Sequence, residues 1–356
     1  MSAQHLAPSI LLCSQYLSEG SGGIAEVGRL TAAALGRHYP VEALSCMDKA
    51  RFSIERVPVR SFSGSRWRFV AQLGLDAGRA THVLYDFAGT ARAQSVLKLR
   101  DRPSAIWAHG WEVWGEPRAD YLRALKRADL VLVNSHYTLG RAAGALGRLG
   151  NVRVCQLATA HDDFPKNVGA SEGPPTVLLL GRIDSLLAKG HDILIAIWPK
   201  VISAVPDARL VFAGGGDAVN HVHNLARKSS AAANIDILGF VPGEHLNDLW
   251  KKSSIFAMPA FAEGFGLVYI EAMRQGKPVI ASRQDAGQEI NLDGVTGFNI
   301  SREKPDAIAD AIIALLRDDG LCDRLGAAGR LRWRENFSFS GFERRLLEAS
   351  KDFLAV

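Results

Sequence analysis

Twice along this 356-residue chain, short apolar runs of strand length alternate with longer stretches of helical periodicity. That alternation constrains the fold strongly, because parallel strands can be joined only by crossovers of a dozen or more residues. The first series places strands at 9–17, 39–47, 82–87, 103–109, 130–133 and 152–157, with helices such as 25–35 and 120–127 between them. The second places strands at 176–180, 208–213, 236–240, 255–259, 278–282 and 297–300, with helices at 191–204, 243–252 and 265–275. Between the two series, the stretch 161–175 holds three prolines and two glycines and reads as a linker. Helical patterns return from Pro305 to Leu316, over 321–335 and over 341–354. The expected fold class is α/β: two Rossmann-like, doubly wound domains, 1–163 and 164–339, facing one another across a cleft lined by the carboxyl edges of their sheets.

The length exceeds one ordinary core, and 47% hydrophobic with 22% charged residues is the balance of a soluble globular protein. Cys13, Cys46, Cys155 and Cys322 lie far apart without metal-ligand spacing, which predicts a reduced, cytoplasmic protein lacking structural disulfides and zinc. No secretory leader is read at the N-terminus, and the longest apolar runs, such as 193–198, are too short to span a bilayer. Charge is divided unevenly. Residues 1–165 hold 20 Lys+Arg against 14 Asp+Glu, and the remainder 22 against 23. Arg51, Arg56, Arg60, Arg66 and Arg68 cluster around Trp67 and Phe69. Such a stretch suits peripheral contact with an anionic membrane or a phosphate-bearing acceptor; a solvated basic face is the other reading. No nucleic-acid partner is expected.

The chemistry concentrates in Glu263-Gly264-Phe265-Gly266-Leu267-Val268-Tyr269-Ile270-Glu271. Two carboxylates stand eight positions apart across a Gly-x-Gly turn that opens a helix. The glycines let backbone N–H groups approach an anion, and a helix N-terminus favours a diphosphate. Eight helical residues rise about 12 Å, so both acids can serve one elongated ligand. One would meet sugar hydroxyls and the other a ribose, with phosphates between. Arg182 and Lys189 follow the strand at 176–180 and supply two cations where a diphosphate needs neutralising. Gly214-Gly215-Gly216-Asp217 forms a close-approach turn after the next strand, and Phe240 with Val241 offers a wall for a base. Asp285, after the strand at 278–282, is placed to support the carboxylates.

Taken together these residues resemble the donor-binding half of the large retaining glycosyltransferase family with the GT-B fold, glycosyltransferase family 4 or group 1. The likeness runs through Pro259, Glu263-Gly264-Phe265-Gly266, Ile270-Glu271-Ala272-Met273, Gly276, Pro278-Val279-Ile280-Ala281-Ser282, Gly287, Glu289, Gly294 and Gly297. It extends back to Gly181-Arg182, Lys189-Gly190 and Gly214–Asp217. In the first half Gly22-Gly23 is similar to the glycine pair of that family's first loop, and His109 to a histidine that touches the transferred sugar. Val133-Asn134-Ser135 and Asp163-Phe164 also fit. The resemblance implies that the terminal helix, 340–356, packs back on the first domain. It implies a hexose moved with retention from a UDP- or GDP-sugar to a glycan or lipid-linked acceptor. Glu263 would hold the sugar, Glu271 the ribose, and His109 the transferring sugar. Gly22, Gly23, Gly214, Asp217, Phe240, Val241, Gly264, Phe265, Gly266, Leu267 and Val268 would line the donor. No Asp-x-Asp occurs in the sequence, so Arg182, Lys189 and the helix N-terminus are expected to stabilise the leaving group without a metal or other cofactor.

A different chemistry also fits part of the chain. Gly20-x-Gly22-x-x-Ala25, with Glu42 about twenty residues on, matches a loose dinucleotide fingerprint and would make an NAD-dependent oxidoreductase. That reading leaves Arg182, Lys189, Glu263 and Glu271 unused. A nucleotide-sugar epimerase on the same fold is a third possibility.

Overall fold

A computed structural model describes residues 8–97, 102–147, 149–165 and 173–355. The stretch 166–172 of the expected linker lies outside the described residues, as does position 356 of the expected terminal helix. The chain divides into two compact units. One runs to Ala160 and takes in the chain from Phe339, and the other is His161–Ser338.

In the first unit eight strands form one sheet: β1 (Ile10–Ser14), β2 (Val41–Ser45), β3 (Phe52–Ile54), β4 (Val57–Ser61), β5 (His82–Tyr85), β6 (Ser104–Ala108), β7 (Leu130–Val133) and β8 (Val152–Val154), in the order β3-β4-β2-β1-β5-β6-β7-β8. Every pairing is parallel except the β3–β4 hairpin. β1, β5, β6 and β7 are buried at every position, as expected for strands covered by helices on both faces. The chain leaves β1 toward β2 on one side and returns to β5 on the other, so the direction of winding switches between β1 and β5. The C-terminal segment packs within this unit. Phe342, in the helix Phe339–Ala349, stacks on Trp107 at 6.4 Å, and His82 Nε2 bonds the Phe353 carbonyl at 2.9 Å.

Six parallel strands make the second sheet: β9 (Thr176–Leu180), β10 (Arg209–Ala213), β11 (Ile235–Gly239), β12 (Ile255–Met258), β13 (Val279–Ser282) and β14 (Gly297–Ile300), ordered β11-β10-β9-β12-β13-β14. Here the winding switches between β9 and β12. In sheets of this kind, ligands bind outside the carboxyl ends of the strands at such switch points.

Most strands agree with the sequence reading to within a few residues. The differences have local causes. The basic tract at 51–68, given no element from the sequence, contains a hairpin: β3 and β4 bury Ile54, Val57 and Val59, while Glu55 turns the hairpin at φ 49°. It continues into the helix Arg66–Ala77, whose Phe69 and Leu73 are buried and whose Trp67 is 84% exposed. The expected helix 265–275 begins two residues later, at Leu267, because Gly266 sits at φ 84°, outside right-handed helical space. The expected terminal helix breaks at Ser350 into Phe339–Ala349 and Lys351–Leu354.

Candidate active site

In the second unit, the loops that flank the switch point carry the charged residues. β9 ends at Leu180, and the loop to Gly190 holds Arg182 and Lys189. β12 ends at Met258, and the loop to Gly266 holds Glu263. Two contacts tie these loops together. Phe261 N donates to the Ala188 carbonyl at 2.8 Å, and Gly190 lies so close to Pro259 that a Cβ there would stand 2.7 Å from its carbonyl oxygen. Lys189 Nζ is thereby brought against Glu263 Oε2 in a tight ion pair, with the two side chains 24% and 15% exposed. Burial pulls the Lys189 pKa down, but Glu263, with Asp285 and Asp184 behind it, outweighs burial and leaves it above the usual lysine value.

Asp285 fixes the other side of this pair. It follows β13, is fully buried, and accepts from Gly287 N at 2.9 Å and Glu263 N at 3.3 Å. Burial, reinforced by the charge of Glu263, pushes its pKa up to about 7 against those two hydrogen bonds. The turn is strained as well as anchored: Ala262, immediately before Glu263, stands at φ 59°. Gly266 N-caps the helix Leu267–Arg274 without a side-chain cap, and Tyr269 packs where a Gly266 Cβ would be, 2.4 Å away. Phe265 is buried edge-on to Phe337, so its ring serves the core and only its backbone borders the turn. Leu267 and Val268 are partly exposed, and Glu271 lies in the second turn of the same helix.

Arg182 reaches outward, 74% exposed, and its nearest acid is Asp217 at 3.9 Å. Phe240, just past β11, is 69% exposed and stands 3.6 Å from where a Cβ on Gly215 would be. Val241, half-buried, lines a neighbouring hollow of about 530 Å³ with Leu238, Val211 and Leu249. Packing accounts for the glycines of the turn. A Cβ on Gly214 would come within 1.9 Å of the Gly181 carbonyl oxygen, and one on Gly216 within 2.0 Å of that of Ile183.

In the first unit, His109 follows β6 and is held on several sides. Its Nε2 is 2.7 Å from the Asp86 carbonyl oxygen. A carbonyl only accepts, so Nε2 carries the hydrogen and Nδ1 is left as an acceptor. His109 N and Gly110 N both donate to Glu112 Oε2, at 3.1 and 3.0 Å, and Asn134 Nδ2 donates to the His109 carbonyl at 3.2 Å. Trp107 lies parallel to the imidazole at 6.2 Å. Asp86 itself, buried at the end of β5, takes hydrogen bonds from Ser14 Oγ and Thr90 Oγ1. Burial lifts its pKa to about 6 against them. Gly22 and Gly23 open the helix Gly23–Gly36 across the switch point, and Gly22 stands at φ 100° with nothing within 4 Å of a would-be Cβ. Asp86, Glu112 and Asp48 escape the motif reading; a carboxylate immediately after a buried strand, as at Asp86, is the signal that could have marked one of them.

The dinucleotide reading meets a specific obstacle. Glu42 pairs in register with Leu11 near the start of β2, three residues short of its carboxyl end, and its carboxylate bonds Arg60. A ribose-binding acid must stand at the carboxyl end beside the glycine loop.

Residues 161–332 match the family described as Glycosyl transferases group 1. This match lies within the second unit and takes in just under half of the chain. Among its relatives is the GDP-mannose-dependent alpha-(1-6)-phosphatidylinositol monomannoside mannosyltransferase of Mycolicibacterium smegmatis, 30% identical over 67% of this chain and 66% of that protein. The phosphatidyl-myo-inositol mannosyltransferase of Mycobacterium tuberculosis is 36% identical over 43% of this chain and 41% of its own length. The chain thus matches less than two thirds of the length of either. Among solved structures, Anabaena HepE in complex with UDP and glucose superposes with a TM-score of 0.81 at 18% identity, covering 97% of this chain and 100% of that one. The sucrose-phosphate synthase of Thermosynechococcus elongatus does so at 0.80 and 18%, covering 98% and 99%. Both likenesses bear on the fold, which is the α/β, two-sheet GT-B fold.

Proposed function

We propose that this chain is a group 1 glycosyltransferase that moves a hexose from a UDP- or GDP-linked sugar to a hydroxyl of a glycan or lipid-linked acceptor, with retention and without a metal ion. The observation that carries the reading is the Lys189–Glu263 pair at the β9/β12 switch point, beside the uncapped helix N-terminus at Gly266. Breaking the anomeric bond puts negative charge on the leaving diphosphate. Lys189, Arg182 and the amides of Gly264–Val268 are the groups that would stabilise it. Glu263 would exchange its Lys189 contact in part for the donor's hydroxyls, and Glu271 would hold the ribose. Phe240 offers its exposed face to the base. His109, with Nδ1 free to accept, would take a hydrogen bond from a hydroxyl of the transferring sugar. Same-face attack guided by the leaving phosphate fits the absence of an assigned enzymatic nucleophile.

The name of the Mycolicibacterium smegmatis relative makes GDP-mannose the first donor to try, and a HepE complex with UDP-glucose makes that sugar nucleotide the second. Transfer assayed across UDP- and GDP-sugars, in EDTA and with added Mg²⁺ or Mn²⁺, tests the reading. Turnover with one nucleotide class, undiminished by EDTA, is expected; activity lost in EDTA and restored by the cation would overturn metal independence.

A lipid-linked acceptor calls for access to a membrane surface. Among the described residues no helix is long and apolar enough to cross a membrane. The helix Arg66–Ala77 instead exposes Trp67, at 84%, between the exposed Arg66 and Arg68, and Leu75, at 66%, two turns on. That combination favours peripheral adsorption to anionic lipid. Flotation with anionic but not neutral vesicles, weakened by Trp67→Ala, is the expected result; equal flotation with both lipids would remove the proposal.

A further inference from the structure

The loop after β1 is shaped by a carboxylate that lies outside it. Asp48, three residues past β2, is buried at 6% exposure. Its Oδ2 accepts from Leu17 N at 2.7 Å, Ser18 N at 3.0 Å and Ser45 Oγ at 2.7 Å, and its Oδ1 accepts from Ser18 Oγ at 2.6 Å. The same stretch is held from other directions. Arg29 donates to the Leu17 carbonyl at 3.0 Å, Met47 N to that of Gln15 at 2.9 Å, and Asp86 takes Ser14 Oγ and Gln15 N. From Ser18 the order passes on through its hydroxyl contact with Ser21 at 2.7 Å and the Ser21 N bond to the Ser18 carbonyl at 3.3 Å. Beyond Ser21 side support ends: residues 19–23 are exposed, and Gly20 and Gly22 would meet nothing with an added Cβ.

The shape of the Gly22-Gly23 turn is therefore set upstream, where four donors converge on one buried anion. A carboxamide could still accept from Leu17 N, Ser18 N and Ser45 Oγ, but it would turn its N–H₂ on Ser18 Oγ, reverse that hydroxyl, and give up the charge that strengthens all four bonds. We propose that Asp48 is a positioning residue for transfer: it fixes the turn from Leu17 to Ser21 so that the amides of Gly22 and Gly23 meet an anionic oxygen of the substrate. This rests on the glycosyltransferase reading and adds to it a residue that touches neither substrate.

A double-mutant cycle on kcat/KM with Asp48→Asn and Gly22→Ala tests it, with Ser18→Ala as a milder break in the same link. Asp48→Asn should lower kcat/KM about tenfold or more, and Ser18→Ala about threefold with an unchanged thermal midpoint. Because Asp48 acts through the glycine turn, the double variant should be little worse than Gly22→Ala alone. Full multiplication of the two losses would mark Asp48 as merely structural and overturn the inference, as would wild-type kinetics in Asp48→Asn and Ser18→Ala. A wild-type enzyme inert toward every nucleotide-sugar would bring down the glycosyltransferase reading, and this inference with it.

Discussion

Lys189 and Glu263 neutralise one another in a half-buried setting, so removing either leaves the other's charge exposed to a poor solvent. Glu263→Ala and Lys189→Ala are each expected to lower kcat by about a hundredfold or more while circular dichroism stays native. Near-normal turnover in both would show that the reaction occurs elsewhere. Asp285 makes a separate statement about pH. Its folded pKa of about 7 lies above the ordinary carboxyl value of about 3.9, so between these limits the folded chain holds a proton that the unfolded chain gives up. Its contribution to stability is therefore full at low pH and is lost as pH rises through about 7. His191 acts with the opposite sign: burial lowers its pKa to about 4, so its contribution grows as pH rises from there toward the free histidine value. Asp285→Asn should accordingly gain denaturant resistance over wild type between pH 4 and 7. Parallel midpoints across that range would contradict the burial argument. Glu263 and Lys189 are legible in the sequence because a glycine-bracketed acid and a post-strand lysine keep their spacing along the chain. Asp48 and Glu112 are not: their role lies in hydrogen bonds to backbone amides, which no residue type advertises, and Asp48 finds three of its four donors about thirty residues away.

Among elements, the parallel strands read most clearly because burial on both faces leaves uninterrupted apolar runs, as in β1 and β12. β3 and β4 do not, since a three-residue strand at the sheet's edge and its neighbour, interrupted by Pro58 and Arg60, present only Ile54, Val57 and Val59 to the core. The helix start at Leu267 is missed for a conformational reason, the left-handed Gly266, which sequence periodicity does not register. Glycines in the two turns proposed to line the donor also differ in kind. Gly214→Ala drives a methyl into the Gly181 carbonyl and is expected to cost about 2–3 kcal/mol of stability, whereas Gly22→Ala meets only open space and should cost about 1–2 kcal/mol for its backbone angle. Thermal unfolding of the two variants checks this; equal losses would mean that the close approach at Gly214 is relieved by movement.

For the whole molecule, both sheets repeat one plan. Each winds outward from a central strand, and each collects its polar residues where the winding reverses: Ser14, Asp86 and His109 around β1 and β5, and Lys189, Glu263 and Asp285 around β9 and β12. The excess of positive charge in residues 1–165 belongs to the first unit, which the acceptor reading would use. The most direct test of the central claim is a crystal structure with UDP- or GDP-sugar bound. The diphosphate is expected on Lys189 and Arg182 against the amides of Gly264–Val268, with Glu271 on the ribose. A nucleotide seated away from the β9/β12 switch point, with Lys189 still closed on Glu263, would contradict it.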